Sequence, residues 1–215
     1  MAAALFARLA PAWQAALNAG IGAYLASDAV PIGAVVTDVA GEILSVGAND
    51  AESSPLAHAE TRALRDLPRA ADDTGAILFT TLEPCPMCVG AIRLARLSRA
   101  HYAARDPAAG SLDLLQADEF MRDLGCESVG PDNEVMEAVI VALVTESRQR
   151  RGQLRWRAEW LAYHRHAVRV GIRLAERGAR ADWISRSASA AEVFDAAALI
   201  LGGRTAAAGL TATSP

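Results

Sequence analysis

The stretch that decides how this sequence is interpreted is TTLEPCPMCVG, residues 80–90. It places Cys85 and Cys88 close together in a chain of 215 residues that contains only three cysteines. Such a pair is compatible with a redox dithiol, with a metal site or with chance. Pro86 suits the first position of a helix, so we expect both thiols at a helix N-terminus, where the helix dipole favours thiolate.

A possible partner for the two cysteines lies upstream, in AHAE, residues 57–60, at the start of a predicted helix. Zinc accepts imidazole nitrogen and thiolate sulfur, and catalytic zinc sites use three protein ligands with water in the fourth position. His58, Cys85 and Cys88 would supply those three ligands. Glu60 could approach such a water without binding the metal. The pattern therefore predicts a catalytic zinc centre.

The cysteine pair has two other interpretations. A redox pair would leave His58 and Glu60 unexplained, and the surrounding sequence lacks a thioredoxin-like context. A closed structural zinc site would need a fourth ligand, for which Cys126 is the obvious candidate. Because LGCESV, residues 124–129, is typical of a remote strand edge, we expect Cys126 to be a small buried residue.

The combination of H-x-E with a later P-C-x-x-C is the signature of zinc nucleobase deaminases. Here it is His58-Ala59-Glu60 followed by Pro84-Cys85-Pro86-Met87-Cys88. The chain resembles the cytidine deaminase-like zinc deaminase superfamily, nearest the tRNA-adenosine and guanine deaminase (nucleoside deaminase) branch, over roughly residues 3–150. The segments that carry the resemblance are VPIGAVV, GAND, AHAE, TLEPCPMCVGAI and AARDPAAGSL.

The resemblance implies a zinc hydrolase with Zn²⁺ as its cofactor and Glu60 as the catalytic acid and base. It also implies substrate contacts from the Asn49 side chain and the Ala59 backbone, and a supporting rather than proton-carrying role for Glu83. The reaction would be hydrolytic deamination of the exocyclic amine of a small nucleobase, nucleoside or related heterocycle, with release of ammonia. We expect no nucleotide cofactor.

The substrate class stays open at this point. The alternative is a tRNA adenosine-to-inosine deaminase, which would flip the base out and contact phosphates. Residues 1–145 carry 9 arginines against 19 acids, a balance of −10, and this acidic body argues against RNA. Residues 106–114 also depart from the branch, being shorter than is typical. A catalytically idle homologue is disfavoured by the intact set of chemical groups.

The C-terminal part of the chain has the opposite charge. Residues 146–215 carry 12 arginines against 6 acids, a balance of +6. Within residues 151–178 an apolar stripe and an arginine face are predicted to lie on opposite sides of a helix. The stripe comprises Leu154, Trp156, Trp160, Tyr163, Ala167, Val170 and Leu174, and the opposite face carries Arg155, Arg165, Arg169 and Arg173. The stripe would pack on the protein's own body or on a second subunit of a homodimer, the state usual in this branch.

Strand-like and helix-like segments alternate along the rest of the chain. The pattern predicts strands at 31–38, 41–49, 75–82, 99–104 and 126–130, and helices at 1–27, 55–67, 86–97, 112–125 and 132–151. Such alternation is typical of an α/β fold, here a three-layer α/β/α sandwich with a mixed sheet of about five strands plus a helical C-terminal extension. We predict a deaminase domain over 1–150, an Arg-rich helical extension over 151–201 and a mobile tail over 202–215.

The sequence contains no apolar run long enough to cross a bilayer, and its N-terminal segment lacks the basic start of a signal peptide. Three cysteines do not suggest a secreted disulfide scaffold. We therefore expect a cytoplasmic protein.

Overall fold

The computed structural model describes residues 4–68, 75–123, 125–153 and 155–202. Within them one five-stranded sheet is formed by β1 (Gly33–Thr37), β2 (Ile43–Ala48), β3 (Ile77–Leu82), β4 (Arg99–Ala104) and β5 (Glu127–Val129). The helices are α1 (Pro11–Ser27), α2 (Ala59–Arg65), α3 (Pro86–Leu94), α4 (Glu119–Arg122), α5 (Glu134–Arg150), α6 (Arg157–Tyr163), α7 (Arg165–Glu176), α8 (Ala179–Ser185) and α9 (Ala190–Ile200). Short 3₁₀ helices occupy Phe6–Arg8 and Leu112–Gln116. None of the described helices is long and apolar enough to cross a membrane.

The strand order is β2-β1-β3-β4-β5, with β1 antiparallel to both of its neighbours and β3, β4 and β5 mutually parallel. Four strands therefore run in one direction, and only β1 runs against them. As a consequence, β2, β3 and β4 all end at the same edge of the sheet. The segments that follow them, which begin at Asn49, Glu83 and Arg105, start at that edge.

The sheet is covered on both faces because alternate residues of its strands point to opposite sides. Val36 and Leu78 belong to a core that includes residues of α2 and α3. Val35 and Phe79 belong to a second core with α1 and α5. The predicted three-layer α/β/α sandwich with a mixed sheet is thereby confirmed, and β1 and β2 form a hairpin within it.

The helices α6 to α9 extend the second core. Trp160, Val170 and Phe194 are completely buried there with residues of α1 and α5. Of the two partners considered for the apolar stripe, the structure places it on the protein's own body. Tyr163 is an exception, since it is 57% exposed. Leu154 and residues 203–215, most of the predicted mobile tail, lie outside the described residues.

Several predicted helix boundaries were wrong. The N-cap of α5 is Asn133, whose Oδ1 accepts hydrogen bonds from the backbone amides of Val135 and Met136. Asp132 instead accepts a hydrogen bond from the Trp13 indole. The described residues of the range 112–125 contain two short helices instead of one. The stripe helix breaks at His164, whose backbone leaves the helical region (φ −113°, ψ 42°).

A close contact between α1 and β1 depends on two glycines. A Cβ on Gly20 would lie 2.6 Å from the Gly33 amide nitrogen, and one on Gly33 would lie 1.9 Å from the Ala16 carbonyl oxygen. Real Cβ atoms do not approach backbone atoms so closely. Any larger residue at either position would therefore push the helix away from the sheet.

Gly20→Ala should lower the free energy of unfolding by about 1 to 3 kcal/mol, the usual cost of overpacking. Gly22→Ala is the matched control in the same helix, because nothing lies within 4 Å of a Cβ there. It should raise stability by about 0.5 to 1 kcal/mol through helix propensity. Urea denaturation of both variants measures these effects, and equal stabilities would contradict the close contact.

Candidate metal centre

Two helix N-termini bring the three predicted metal ligands together. His58 is the N-cap residue of α2, Cys85 is the N-cap residue of α3, and Cys88 lies in the first turn of α3. His58 Nδ1 is 3.5 Å from each sulfur, and the two sulfurs are 3.7 Å apart. We refer to His58, Cys85 and Cys88 as the zinc cluster.

The donor atoms of the zinc cluster fit one tetrahedral zinc ion. With Zn–S near 2.3 Å and Zn–N near 2.0–2.1 Å, tetrahedral geometry requires about 3.8 Å between sulfurs and about 3.6 Å between nitrogen and sulfur. The observed separations agree closely with both values. Cys126 does not join the cluster, and its sulfur instead lies 3.9 Å from the Glu127 carbonyl oxygen. A fourth coordination position therefore stays free of protein ligands among the described residues.

The electrostatics of the cluster favour ligation through sulfur. The hydrogen bond with Cys88, with a further contribution from His58, lowers the pKa of the Cys85 thiol to about 4. The same hydrogen bond and burial raise the pKa of Cys88. The lowered pKa of Cys85 favours its thiolate form, and metal binding would have to displace the proton of Cys88.

Glu60 lies in the first turn of α2, on the interior side, and is only 4% exposed. Its Oε1 accepts a hydrogen bond from Thr80 Oγ1 of β3 at 3.3 Å. Burial raises the pKa of the Glu60 carboxyl group, since the charged form is poorly solvated there. A carboxyl group whose pKa is moved toward neutrality beside a metal cluster is suited to proton transfer in both directions.

The two predicted substrate contacts lie where the end of β2 meets the start of α2. Asn49 directly follows β2 and is 6% exposed, and its backbone N–H group donates a hydrogen bond to the Ile32 carbonyl oxygen. Ala59, next to His58, is completely buried, and a Cβ on Gly47 would lie 2.1 Å from its carbonyl oxygen. The end of β2 thus lies directly against the start of α2. Contact of either residue with substrate stays a prediction.

Glu83 lies between the cluster and a segment that we call the site loop, residues 105–111. The Asp106 amide donates to Glu83 Oε2 at 3.2 Å, and the Ser111 amide donates to the Pro84 carbonyl oxygen at 2.9 Å. Burial raises the pKa of the Glu83 carboxyl group. These contacts are those of a supporting group for the segment that carries Cys85. A groove of about 510 Å³ opens beside them and includes Tyr163 in its lining.

Sequence reasoning missed two residues that contact the site loop from α6 and its C-terminal end. Trp160 Nε1 donates to Asp106 Oδ1 at 3.0 Å, and His164 Nε2 donates to the Arg105 carbonyl oxygen at 3.0 Å. A tryptophan within an apolar stripe indicates only burial, so its spacing gave no sign of this polar contact. Asp106 is engaged with Trp160 and is 6% exposed.

Comparison with known proteins connects this geometry to a family. The cytidine and deoxycytidylate deaminase zinc-binding region matches residues 10–104. The chain is similar to the tRNA-specific adenosine deaminase of Bacillus subtilis (strain 168), 39% identical over 100 residues, which are 42% of this chain and 62% of that protein. It is also similar to the guanine deaminase of the same organism, 43% identical over 96 residues, which are 41% of this chain and 54% of that protein.

A solved structure from studies of A-to-I editing by tRNA:A34 deaminases at the wobble position of transfer RNA is 34% identical, with a TM-score of 0.41, and the match covers 47% of this chain and 81% of that one. The chain spans less than two thirds of the length of the two curated relatives. The matched region contains the zinc cluster and Glu60. Through residues 10–104 this chain belongs to the cytidine deaminase-like zinc deaminases.

Proposed function

We propose that the protein is a zinc-dependent hydrolase that removes the exocyclic amine of a small nucleobase, nucleoside or related heterocycle and releases ammonia. The observation that carries the proposal is the zinc cluster, whose spacing fits one tetrahedral ion, with the buried Glu60 carboxyl group beside it. Similarity to a guanine deaminase supports a free base as the substrate.

Bound zinc would lower the pKa of a coordinated water toward neutrality. His58 Nδ1 and the sulfurs of Cys85 and Cys88 would hold the ion. Glu60 would accept a proton from water as the new C–O bond forms, and would deliver it to the ring nitrogen next to the attacked carbon. It would then take the second proton of the water, from the new hydroxyl group, and pass it to the amine as the C–N bond breaks and the carbonyl forms, so that one carboxylate serves as base and acid.

Asn49 and the Ala59 backbone would orient the heterocycle against the cluster. Both belong to elements that are fixed by the sheet edge and by the close contact of β2 with α2. An amide side chain offers both a donor and an acceptor, which suits the edge of a base. Rigid placement of the ring would contribute to the rate through proximity and orientation.

A tRNA adenosine-to-inosine deaminase is a second candidate, favoured by one observation. Arg165, Arg169, Arg173 and Arg177 recur every four residues from α7 to its C-cap and are exposed, and none forms an ion pair with a described residue. Such a stripe could neutralise phosphates. Relatives named tRNA-specific adenosine deaminases agree with it. The acidic balance of residues 1–145 opposes it.

Ammonia release from a panel of free bases, nucleosides and tRNA tests the proposal. We expect turnover of at least one free base or nucleoside, and a loss of about 100-fold or more in Glu60→Gln, which keeps the side-chain volume but cannot shuttle the proton. Zinc content and fold should be unchanged in this variant. Turnover confined to tRNA would select the second candidate, and near-normal activity of Glu60→Gln would assign the proton transfer to another group.

Metal content gives an independent test of the ligands. The wild-type protein should contain one zinc per chain by elemental analysis, and Cys88→Ser should lose most of it because a hydroxyl group replaces a thiolate ligand. Cys126→Ser is the matched control, since Cys126 is buried and remote from the cluster. Equal zinc loss from both variants would contradict the assignment.

We further propose a cytoplasmic location and a homodimer. All three cysteines of the chain are free, which suits a reducing compartment.

For the dimer, Leu94 at the end of α3 is 75% exposed and Phe120 of α4 is 56% exposed. Arg93, which precedes Leu94 in α3, packs against α4, because its guanidinium lies 4.1 Å from the Phe120 ring centroid. Exposed large apolar groups of this kind are typical of an interface.

Sedimentation equilibrium at micromolar concentration should show a dimer, and Leu94→Glu should shift it toward monomer by placing charges in the contact. Val39→Glu is the control, because Val39 is 64% exposed in the β1–β2 turn, outside the α3–α4 face. A monomeric wild type, or a Leu94→Glu variant as dimeric as the control, would refute this interface.

A further inference from the structure

The site loop is attached to the C-terminal extension by hydrogen bonds that cross more than fifty residues of sequence. The Trp160 indole donates to Asp106 Oδ1, and the His164 imidazole donates to the Arg105 carbonyl oxygen, each at 3.0 Å. Trp160 is completely buried. A donor at full burial is expensive to leave unpaired, so these bonds fix the loop relative to α6.

Asp106 is the central residue of this attachment. Its Oδ1 also accepts from the amides of Ala108 and Ala109, at 2.9 and 3.2 Å. Those two bonds shape the loop locally, and the bond from Trp160 is the one that connects the carboxylate to another part of the fold. A carboxylate that is 6% exposed needs such partners, because burial of an unpaired charge is costly.

A half-buried cation completes the surroundings of Asp106. The guanidinium of Arg148, in α5, lies 5.2 and 4.9 Å from the ring centroids of Trp156 and Trp160. Burial lowers the pKa of Arg148, and the attraction of the Asp106 carboxylate opposes that shift. The indole of Trp160 therefore contacts a cation through its ring and a carboxylate through its N–H group.

The loop in turn contacts the segment that carries the first cysteine ligand. Its amides donate to Glu83 Oε2 and to the Pro84 carbonyl oxygen, at 3.2 and 2.9 Å. A Cβ on Gly110 would lie 2.3 Å from Glu83 Oε2, so the loop lies directly against that carboxyl group. Pro84 immediately precedes Cys85. A series of polar contacts thus connects Trp160 to the two residues that immediately precede the zinc ligand Cys85.

We propose that Trp160 and His164 are positioning residues of the zinc cluster, acting through the site loop on Glu83 and Pro84. The inference deepens the proposed function and rests on it in treating the cluster as the deaminase centre. Neither side chain needs to touch substrate. Outer groups that orient ligands of a metal commonly change its affinity by about 10- to 100-fold when they are removed.

Trp160→Phe tests the proposal, because it keeps an aromatic ring and removes the N–H donor. Trp183→Phe is the matched control in α8, since Trp183 is 3% exposed and its indole donates no hydrogen bond to a described residue. Zinc affinity is measured by chelator competition, and ligand geometry by the visible absorption of the cobalt-substituted protein. We expect Trp160→Phe to bind zinc about tenfold more weakly and to shift the cobalt bands. Trp183→Phe should change neither.

His164 provides a second test that does not depend on the folding of Trp160→Phe. His164→Phe removes the donor to the Arg105 carbonyl oxygen and should weaken zinc binding. His164→Gln keeps an N–H donor and should therefore keep zinc binding. Wild-type zinc affinity and cobalt spectra in both Trp160→Phe and His164→Phe would overturn the inference, as would equal losses in Trp160→Phe and Trp183→Phe. A zinc-loaded wild type without any deaminase activity would overturn the proposed function instead, and the two metal measurements would still decide the positioning role.

Discussion

The arrangement of this protein depends on the direction of its strands. Because β1 alone runs against the other four, β2, β3 and β4 end at one edge of the sheet. The segments that follow these strands begin at that edge with Asn49, Glu83 and Arg105, and each segment forms a different part of the candidate site. Open sheets commonly bind ligands outside the carboxyl ends of their strands for this reason. The zinc cluster forms there because α2 and α3 both begin at that edge.

The sheet and the zinc cluster could be predicted from sequence because each has a local signal. Cys85 and Cys88 are one helical turn apart, and Pro86 marks the start of their helix, so their mutual geometry follows from the backbone. The interior position of Glu60 follows from the apolar pattern of α2. The start of α5 could not be decided in the same way, because Asp132 and Asn133 are both good N-cap residues. The structure assigns Asp132 to the Trp13 indole, a partner 119 positions away in sequence.

The extension shows the limit of pattern reasoning more clearly. A stripe with Trp156 and Trp160 indicates burial but not the surface that provides it, and the structure places both in the core that contains α1 and α5. The predicted single helix is interrupted at His164, where the backbone leaves the helical conformation and the imidazole contacts the Arg105 carbonyl oxygen. Hydrophobic periodicity carries no information about such a contact. The residues that attach the extension to the site therefore had to be found from the structure.

The same attachment bears on the kind of substrate. An Asp106 exposed at the site loop would meet the phosphates of a polynucleotide with like charge, or would offer an acceptor to a sugar hydroxyl group. Here the carboxylate faces inward, bound by Trp160 and attracted by Arg148. The loop thus presents its backbone rather than this charge, which suits a small neutral heterocycle. The arginines from α7 to its C-cap, which form no ion pair with a described residue, follow directly after His164, so a polyanion held there would begin beside the loop. Under the proposed function, substrate selection would be a competition between the inward-facing loop, which would favour a small ring, and the arginine stripe, whose contribution would fall as salt concentration rises.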